Sequence, residues 1–219
     1  MLLSLNDIFT PAMTTALADA VADLSFTDGA ATAGRFAREV KANDQAGPSA
    51  ARDAVTQKVQ AALMQHDIFH IATRPRQMSP LIVSRYRQGQ TYGRHVDDAL
   101  MQGMRTDISF TLFLGDPTTY GGGDLVIEDT LETRSIKLPA GGLILYPSTT
   151  LHHVAPVTTG TRLAVVGWVQ SWIRDAGQRE ILFDLERSLR HVFDTEGKTE
   201  LFDQLAKSRS NLLRMWADH

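Results

Sequence analysis

The chain has 219 residues, 43% of them hydrophobic, which suits one ordinary domain, or one core with a small appendage, that needs no covalent staples. It holds no cysteine, so a disulfide framework and a thiolate metal site are both excluded, and any metal must be held by imidazole and carboxylate. A net charge of −3 argues against a nucleic-acid partner, no apolar run approaches the roughly 20 residues of a membrane span, and Met1 to Asp7 lacks the basic start of a secretory signal, so a cytoplasmic protein is the expectation.

The first predicted element is a helix. Thr10 followed by Pro11 is an N-cap with proline at the first helical position, and Met13, Leu17, Val21 and Leu24 recur at helical spacing on one apolar face. Residues 26 to 48 are mixed, with Asp28-Gly29 and Gly47-Pro48 as turn signals; Ser49 then caps a second helix with Val55, Val59, Ala62 and Leu63 on one side. From about residue 67 the texture changes to short β-branched or aromatic runs: Ile68–Thr73, Leu81–Arg87, Ile108–Leu114, Asp124–Glu128, Ser135–Leu138, Gly142–Tyr146, His152–Pro156 and Leu163–Val169. Short strands separated by glycine, proline and aspartate turns predict a sandwich or barrel rather than βαβ units. After Trp172 helical stripes return, Ile181, Leu182, Leu185 and Leu189 first, then Leu201, Leu205, Leu212 and Trp216 behind a Thr199 cap. The expected organisation is an N-terminal helical and mixed segment (1–77) packed on the core, a β core (78–173) and a helical C-terminal region (174–219). The apolar stripes of the last region must be covered by the barrel or by a second subunit of a homo-oligomer, and the sequence leaves both open.

The chemistry-bearing pattern begins at Tyr86-x-x-Gly89-x-x-Tyr92-x-x-His95-x-Asp97. In an extended segment residues i and i+2 share a face, so His95 and Asp97 can project together into a barrel interior. Imidazole and carboxylate at that spacing supply two ligands of a 2-His-1-carboxylate triad, which leaves open coordination positions on the metal; alone, the pair is a weak signal that reads more readily as a hydrogen-bonded histidine and aspartate. His152 can complete the triad. Arg162, ten residues on and beyond the turn Thr158-Thr159-Gly160-Thr161, can clamp a dicarboxylate with two parallel N–H bonds.

Together, H-x-D and H-x-x-x-P-V-x-x-G-x-R resemble the prolyl/lysyl-hydroxylase-domain branch of the Fe(II)/2-oxoglutarate oxygenases, and more narrowly the bacterial PKHD-type hydroxylases associated with iron uptake. The likeness runs through Thr32-Ala33-Gly34, Val40-Lys41, Asn43, Arg105-Thr106-Asp107, Leu112-Phe113-Leu114, Gly121-Gly122-Gly123-Asp124-Leu125, Lys137-Leu138-Pro139-Ala140-Gly141, Trp168-x-Gln170-Ser171 and Asn211-Leu212-Leu213-Arg214-x-Trp216. It implies an α+β fold with a mainly β core, a double-stranded β-helix of the jelly-roll or cupin-like kind, carrying N-terminal helices and a helical C-terminal appendage. It implies that His95, Asp97 and His152 bind Fe(II), that Arg162 pairs with the distal carboxylate of 2-oxoglutarate, and that dioxygen is consumed, with ascorbate as a candidate accessory reductant. The reaction implied is hydroxylation of a C–H bond coupled to decarboxylation of 2-oxoglutarate to succinate. Some relatives place a tyrosine on 2-oxoglutarate near the position of Phe113, so Tyr86, Tyr92 or Thr111 would have to replace that hydroxyl here.

Each reading has a plainer rival. His153 is the alternative ligand to His152, but neighbours on a strand point oppositely, and the spacings to Pro156 and Arg162 favour His152. His66, His70, His191 and His219 are expected to be structural or solvated. Tyr86 and Tyr92 are either pocket walls or core aromatics, Phe113 is wall, Trp168 shares the Arg162 face by alternation, the Gly121–Gly123 run is a hairpin or bulge, and Lys41 and Asn43 read better as a solvated loop than as a substrate mouth. Three functions fit the constellation: an oxygenase acting on an unidentified peptidyl residue, amino acid or small metabolite; a non-catalytic iron and 2-oxoglutarate sensor; and a zinc hydrolase.

Overall fold

The computed structural model describes residues 1–32, 34–128 and 131–218; Ala33 of the Thr32-Ala33-Gly34 motif and His219 lie outside the described residues. Five helices accompany the strands: α1 (Pro11–Ala22), α2 (Ala50–Gln65), α3 (Asp67–Thr73), α4 (Ala176–Glu196) and α5 (Glu200–Trp216). In chain order the strands are β1 (Leu3–Leu5), β2 (Phe26–Asp28), β3 (Lys41–Ala42), β4 (Asp44–Ala46), β5 (Pro75–Met78), β6 (Ile82–Arg87), β7 (Thr91–His95), β8 (Leu100–Met101), β9 (Met104–Arg105), β10 (Ile108–Phe113), β11 (Gly121–Gly122), β12 (Leu125–Glu128), β13 (Thr133–Ile136), β14 (Leu143–Pro147), β15 (Leu151–Val154), β16 (Val157–Thr159) and β17 (Thr161–Ser171).

The strands form a double-stranded β-helix of two facing antiparallel sheets. The major sheet has eight strands in the order β1-β14-β10-β17-β6-β4-β2, with β5 paired to the far end of β17; the minor sheet has five, in the order β13-β12-β15-β7-β3. Alternation along β10 explains the layering. Phe110 and Leu112 point outward and join Leu17, Val21, Val59, Leu63 and Phe69 in the larger core, beneath α1, α2 and α3. Phe113 points inward and packs with Leu125, Ile127, Ile144 and Tyr146 between the sheets. The N-terminal segment therefore does two things: its helices cover the outer face of the major sheet, and its short strands extend the edges of both sheets.

Both predicted N-terminal caps are present. Thr10 Oγ1 accepts from Met13 N at 3.3 Å and Ser49 Oγ from Arg52 N at 3.1 Å. On α1 the buried positions are Thr14, Leu17 and Val21, whereas Met13 is exposed. The run Ile68–Thr73, expected as a strand, is α3 instead. His66 caps it, its Nδ1 accepting from Phe69 N at 3.2 Å, and helical spacing buries Phe69, Ala72 and Thr73. A short apolar run bounded by a histidine carries no period that separates strand from helix; the cap decides it.

At the C-terminus, Leu182, Phe183 and Leu189 of α4 are buried, and Phe183 joins the core that α3 packs into. No described residue of α5 is fully buried. The chain end returns to the barrel: Asp218 N donates to Trp172 O, and Arg105 donates to both Asp107 and Asp218.

Candidate active site

The site lies between the sheets, and register builds it. Across β7 and β15 His95 sits directly opposite His152, and across β15 and β12 His152 sits opposite Ile127, so both imidazoles share the inner face of the minor sheet. Asp97 follows two residues after His95, just beyond the end of β7. The ligand atoms of His95, Asp97 and His152 all lie within 4.8 Å of one another. Asp97 Oδ1 is 3.9 Å from His95 Nε2 and 3.8 Å from His152 Nε2.

Backbone carbonyls orient the two imidazoles. His95 Nδ1 lies 2.8 Å from Gly93 O and His152 Nδ1 lies 2.9 Å from Thr150 O. A carbonyl only accepts, so each Nδ1 carries the proton and each Nε2 presents its lone pair to the centre. Burial, then the neighbouring His152, lowers the His95 pKa to about 4, which keeps that ring neutral and able to ligate. Tyr92 stacks on His95 with ring centroids 3.7 Å apart, and Tyr146 meets His152 edge-on at 5.0 Å. Asp97 is nearly as buried as the histidines, and its second oxygen accepts from Ser109 Oγ at 2.5 Å; that hydroxyl lies 2.8 Å from Ser148 Oγ. A buried carboxylate held this way, with two imidazole lone pairs aimed at it and no ammonium or guanidinium paired to it among the described residues, fits a divalent cation.

Arg162 faces the same cavity from the major sheet. Inward alternation on β17 puts Arg162, Val166 and Trp168 on the cavity wall, and the register pairs Arg162 with Tyr86 and Val166 with Thr111. Arg162 is 1% exposed, its guanidinium lies 5.2 Å from the ring centres of both Tyr86 and Phe113, and among the described residues it has no carboxylate partner. Its Nε has no hydrogen-bond partner either. The glycine run makes room for its stem. Gly122 and Gly123 adopt φ +63° and +69° beside a bulge in the β11–β16 pairing, and a Cβ on Gly123 would stand 3.1 Å from Arg162 Cδ. A buried, unpaired guanidinium fits the free carboxylate of a dicarboxylic acid.

These groups line one cavity that opens to solvent at its mouth. Tyr86, Tyr92 and Thr111, the candidates to replace the tyrosine of some relatives, all line it. Tyr146 lines it too, and burial together with the Asp97 charge raises its pKa well above the ordinary phenol value. Burial likewise raises Tyr86 and Tyr92. Tyr146 and Ser109 carry no motif of their own; β-alternation out from Thr111 reaches Ser109, whereas Tyr146 enters only through the pairing of β14 with β10. His153 points away from the cavity, with Nδ1 3.6 Å from Glu128 Oε1. Lys41 and Asn43, expected in a solvated loop, line the cavity instead, and Asn43 is 2% exposed. The reason is pairing on both sides: Lys41 and Ala42 join β7, while Asp44 and Gln45 join β6, which draws the residue between them inward.

Known proteins share this arrangement. The model of the 2OG-Fe(II) oxygenase superfamily matches residues 81–170, and that of the PKHD-type hydroxylase C-terminal domain matches residues 176–218. A PKHD-type hydroxylase of Picosynechococcus sp. is 49% identical over the full length of both chains, and one of Maricaulis maris is 47% identical, again over both full lengths. Among solved structures, a Pseudomonas putida prolyl-4-hydroxylase superposes with a TM-score of 0.55 at 19% identity, covering 78% of this chain and 92% of that one. A Trichoplax adhaerens prolyl hydroxylase, solved with a hypoxia inducible factor peptide fragment, gives 0.58 at 16% identity, covering 82% and 86%. The two structures support the fold alone; the full-length relatives carry the assignment, and the chain belongs to the PKHD-type hydroxylases of the 2OG-Fe(II) oxygenase superfamily.

Proposed function

We propose that the protein hydroxylates a C–H bond of a substrate other than 2-oxoglutarate, with Fe(II) held by His95, Asp97 and His152 and the distal carboxylate of 2-oxoglutarate held by Arg162. The observation that carries this reading is the coexistence, in one cavity, of a three-ligand cluster and a buried guanidinium with no carboxylate partner among the described residues. When bound, the metal, 2-oxoglutarate and dioxygen supply the oxidising power, and 2-oxoglutarate leaves as succinate and carbon dioxide.

The chain's own part is positional. Gly93 O and Thr150 O fix the imidazole tautomers, and Ser109 turns Asp97 so that one oxygen faces both histidines. Arg162 supplies a fixed fork of donors to a planar carboxylate. The phenols of Tyr86 and Tyr146, with pKa values raised by burial, stay protonated and can donate to carboxylate or carbonyl oxygens of the co-substrate. The apolar side chains of Leu125, Val154 and Val166 on the cavity wall help to exclude water.

The test is succinate formation from 2-oxoglutarate by purified protein in air with Fe(II) and ascorbate, with Zn(II) in parallel. Fe(II)-dependent succinate that zinc suppresses is expected. Iron and 2-oxoglutarate binding without any succinate, across substrate panels, would favour a sensor, and zinc-supported turnover would favour a hydrolase.

A further inference from the structure

A second set of polar groups in the cavity has no role in holding metal or co-substrate. Asn43 is 2% exposed, and neither its Nδ2 nor its Oδ1 has a hydrogen-bond partner. Tyr86 lies close enough for the amide to influence its phenol, but not in hydrogen-bonding geometry. Burying an amide with no partner is unfavourable, because it gives up its hydrogen bonds to water and gets none back. The fold keeps space for it all the same: Gly29 N donates to Asn43 O at 2.8 Å, and a Cβ at position 29 would stand 2.2 Å from Asn43 Oδ1. Two residues back on the same face, Lys41 reaches into the cavity. Its ammonium lies 5.0 Å above the Tyr92 ring and donates to Thr32 Oγ1 at 2.9 Å, and it pairs with no carboxylate among the described residues. Trp168 Nε1, on the wall formed by β17, is also buried without a partner.

The position of this strip separates it from Arg162. Asn43 lies between β3, the outer neighbour of β7, and β4, the outer neighbour of β6, whereas Arg162 is on β17, beyond β6. Two strand spacings, about 10 Å, therefore part the two backbones, with Tyr86 on the strand between them. Charge points the same way. Two positive charges from a bound Fe(II), with one each from Arg162 and Lys41, exceed by one the three negative charges of Asp97 and 2-oxoglutarate; Asp98 at the rim is exposed and solvated.

We propose that Lys41 and Asn43 form the substrate subsite, and that the substrate is an amide carrying a nearby carboxylate, an acidic peptide being the type. Asn43 donates to the amide carbonyl and accepts from its N–H, Trp168 Nε1 donates a further hydrogen bond, and Lys41 pairs with the carboxylate. The inference rests on the oxygenase reading above.

The test uses the full chain without air, loaded with Fe(II) and 2-oxoglutarate. Three capped peptides, acetyl-Ala-Glu-Ala-amide and its Gln and Lys counterparts, are titrated by calorimetry, with co-substrate loading followed in the same samples by visible absorption. The acidic peptide should bind at least tenfold tighter than the other two. Lys41→Met should erase that preference. Asn43→Ala should weaken the acidic peptide at least tenfold while leaving 2-oxoglutarate loading unchanged and the thermal midpoint of the unloaded protein no lower, since it removes an amide with no hydrogen-bond partner among the described residues. Gly29→Ala, which retains Asn43 but displaces it, should reproduce the loss. Equal binding of all three peptides, or Asn43→Ala weakening 2-oxoglutarate rather than peptide, would overturn the subsite with the oxygenase reading intact. Failure of wild-type protein to load 2-oxoglutarate would instead overturn the oxygenase reading.

Discussion

At the seam of α3, α4 and α5, the Glu186 carboxylate is met by Arg209 at 2.7 Å, Arg190 at 3.4 Å and Arg74 at 3.5 Å, and Asp67 closes the far side of Arg190. Inside the barrel, Arg162 is buried more deeply and meets no carboxylate among the described residues, and Asp97 meets two imidazoles and a serine. Where the chain needs only to hold helices together, its buried charges are neutralised from within. Where they stay unpaired, the missing partner comes from solution. The pairing state of a buried charge thus separates scaffold from site.

The largest effect should come from the barrel side. Asp97→Ala should abolish Fe(II) retention and succinate formation, because two imidazoles without a carboxylate make a poorer Fe(II) site; metal analysis after desalting checks it, and full iron content would remove Asp97 from the triad. Arg162→Leu should raise the 2-oxoglutarate concentration needed for turnover on the order of 100-fold, the value of one or two charge-assisted hydrogen bonds, while leaving iron bound. The same variant should unfold no earlier than wild type in the absence of ligands, since it removes an unpaired buried charge. A sharp drop in its apoprotein melting point would show that Arg162 has a structural partner after all.

The seam should answer in the opposite way. Glu186→Gln leaves three guanidiniums without their common anion and should cost about 3 kcal/mol in urea unfolding, with activity per folded molecule unchanged. Burial pushes the Glu186 carboxyl up, but Arg209 and the other two guanidiniums outweigh it and hold it below the usual range. A lowered folded pKa gives stability that is complete above the unfolded value of about 4.3 and is lost as pH falls through the folded value. The gap between wild type and Glu186→Gln should therefore be full at pH 7 and shrink below about pH 4; a gap independent of pH would mean that packing, not charge, sets it. The smallest effect should be that of Ser109→Ala, which frees one Asp97 oxygen and should weaken Fe(II) about tenfold, read as a competition constant against a chelating dye.

Much of this was legible in the residues. His95, Asp97, His152 and Arg162 carry a spacing that strand alternation turns into a shared face, and the structure gathers them in one cavity. Alternation says only that one of His152 and His153 faces inward; the spacings to Pro156 and Arg162 point to His152. What the sequence hid was set by distant partners. Lys41 and Asn43 sit in a two-residue strand and a junction, each defined only by pairing to β7 and β6, segments about 40 residues further along, so nothing local distinguishes them from a loop. Ser109 and Tyr146 become site residues only because β10 and β14 pair in a register that sets them side by side. The α3 helix was misread because its cap is a histidine, outside the usual Ser, Thr, Asp and Asn.

The most direct measurement of the central claim is a titration of anaerobic, Fe(II)-loaded protein with 2-oxoglutarate, following the weak visible band of the iron chelate, with His152→Ala and His153→Ala alongside. The account predicts a band in wild type that survives loss of His153 and vanishes with loss of His152. A folded wild-type protein that retains Fe(II) but develops no band, or a band indifferent to His152, would contradict it.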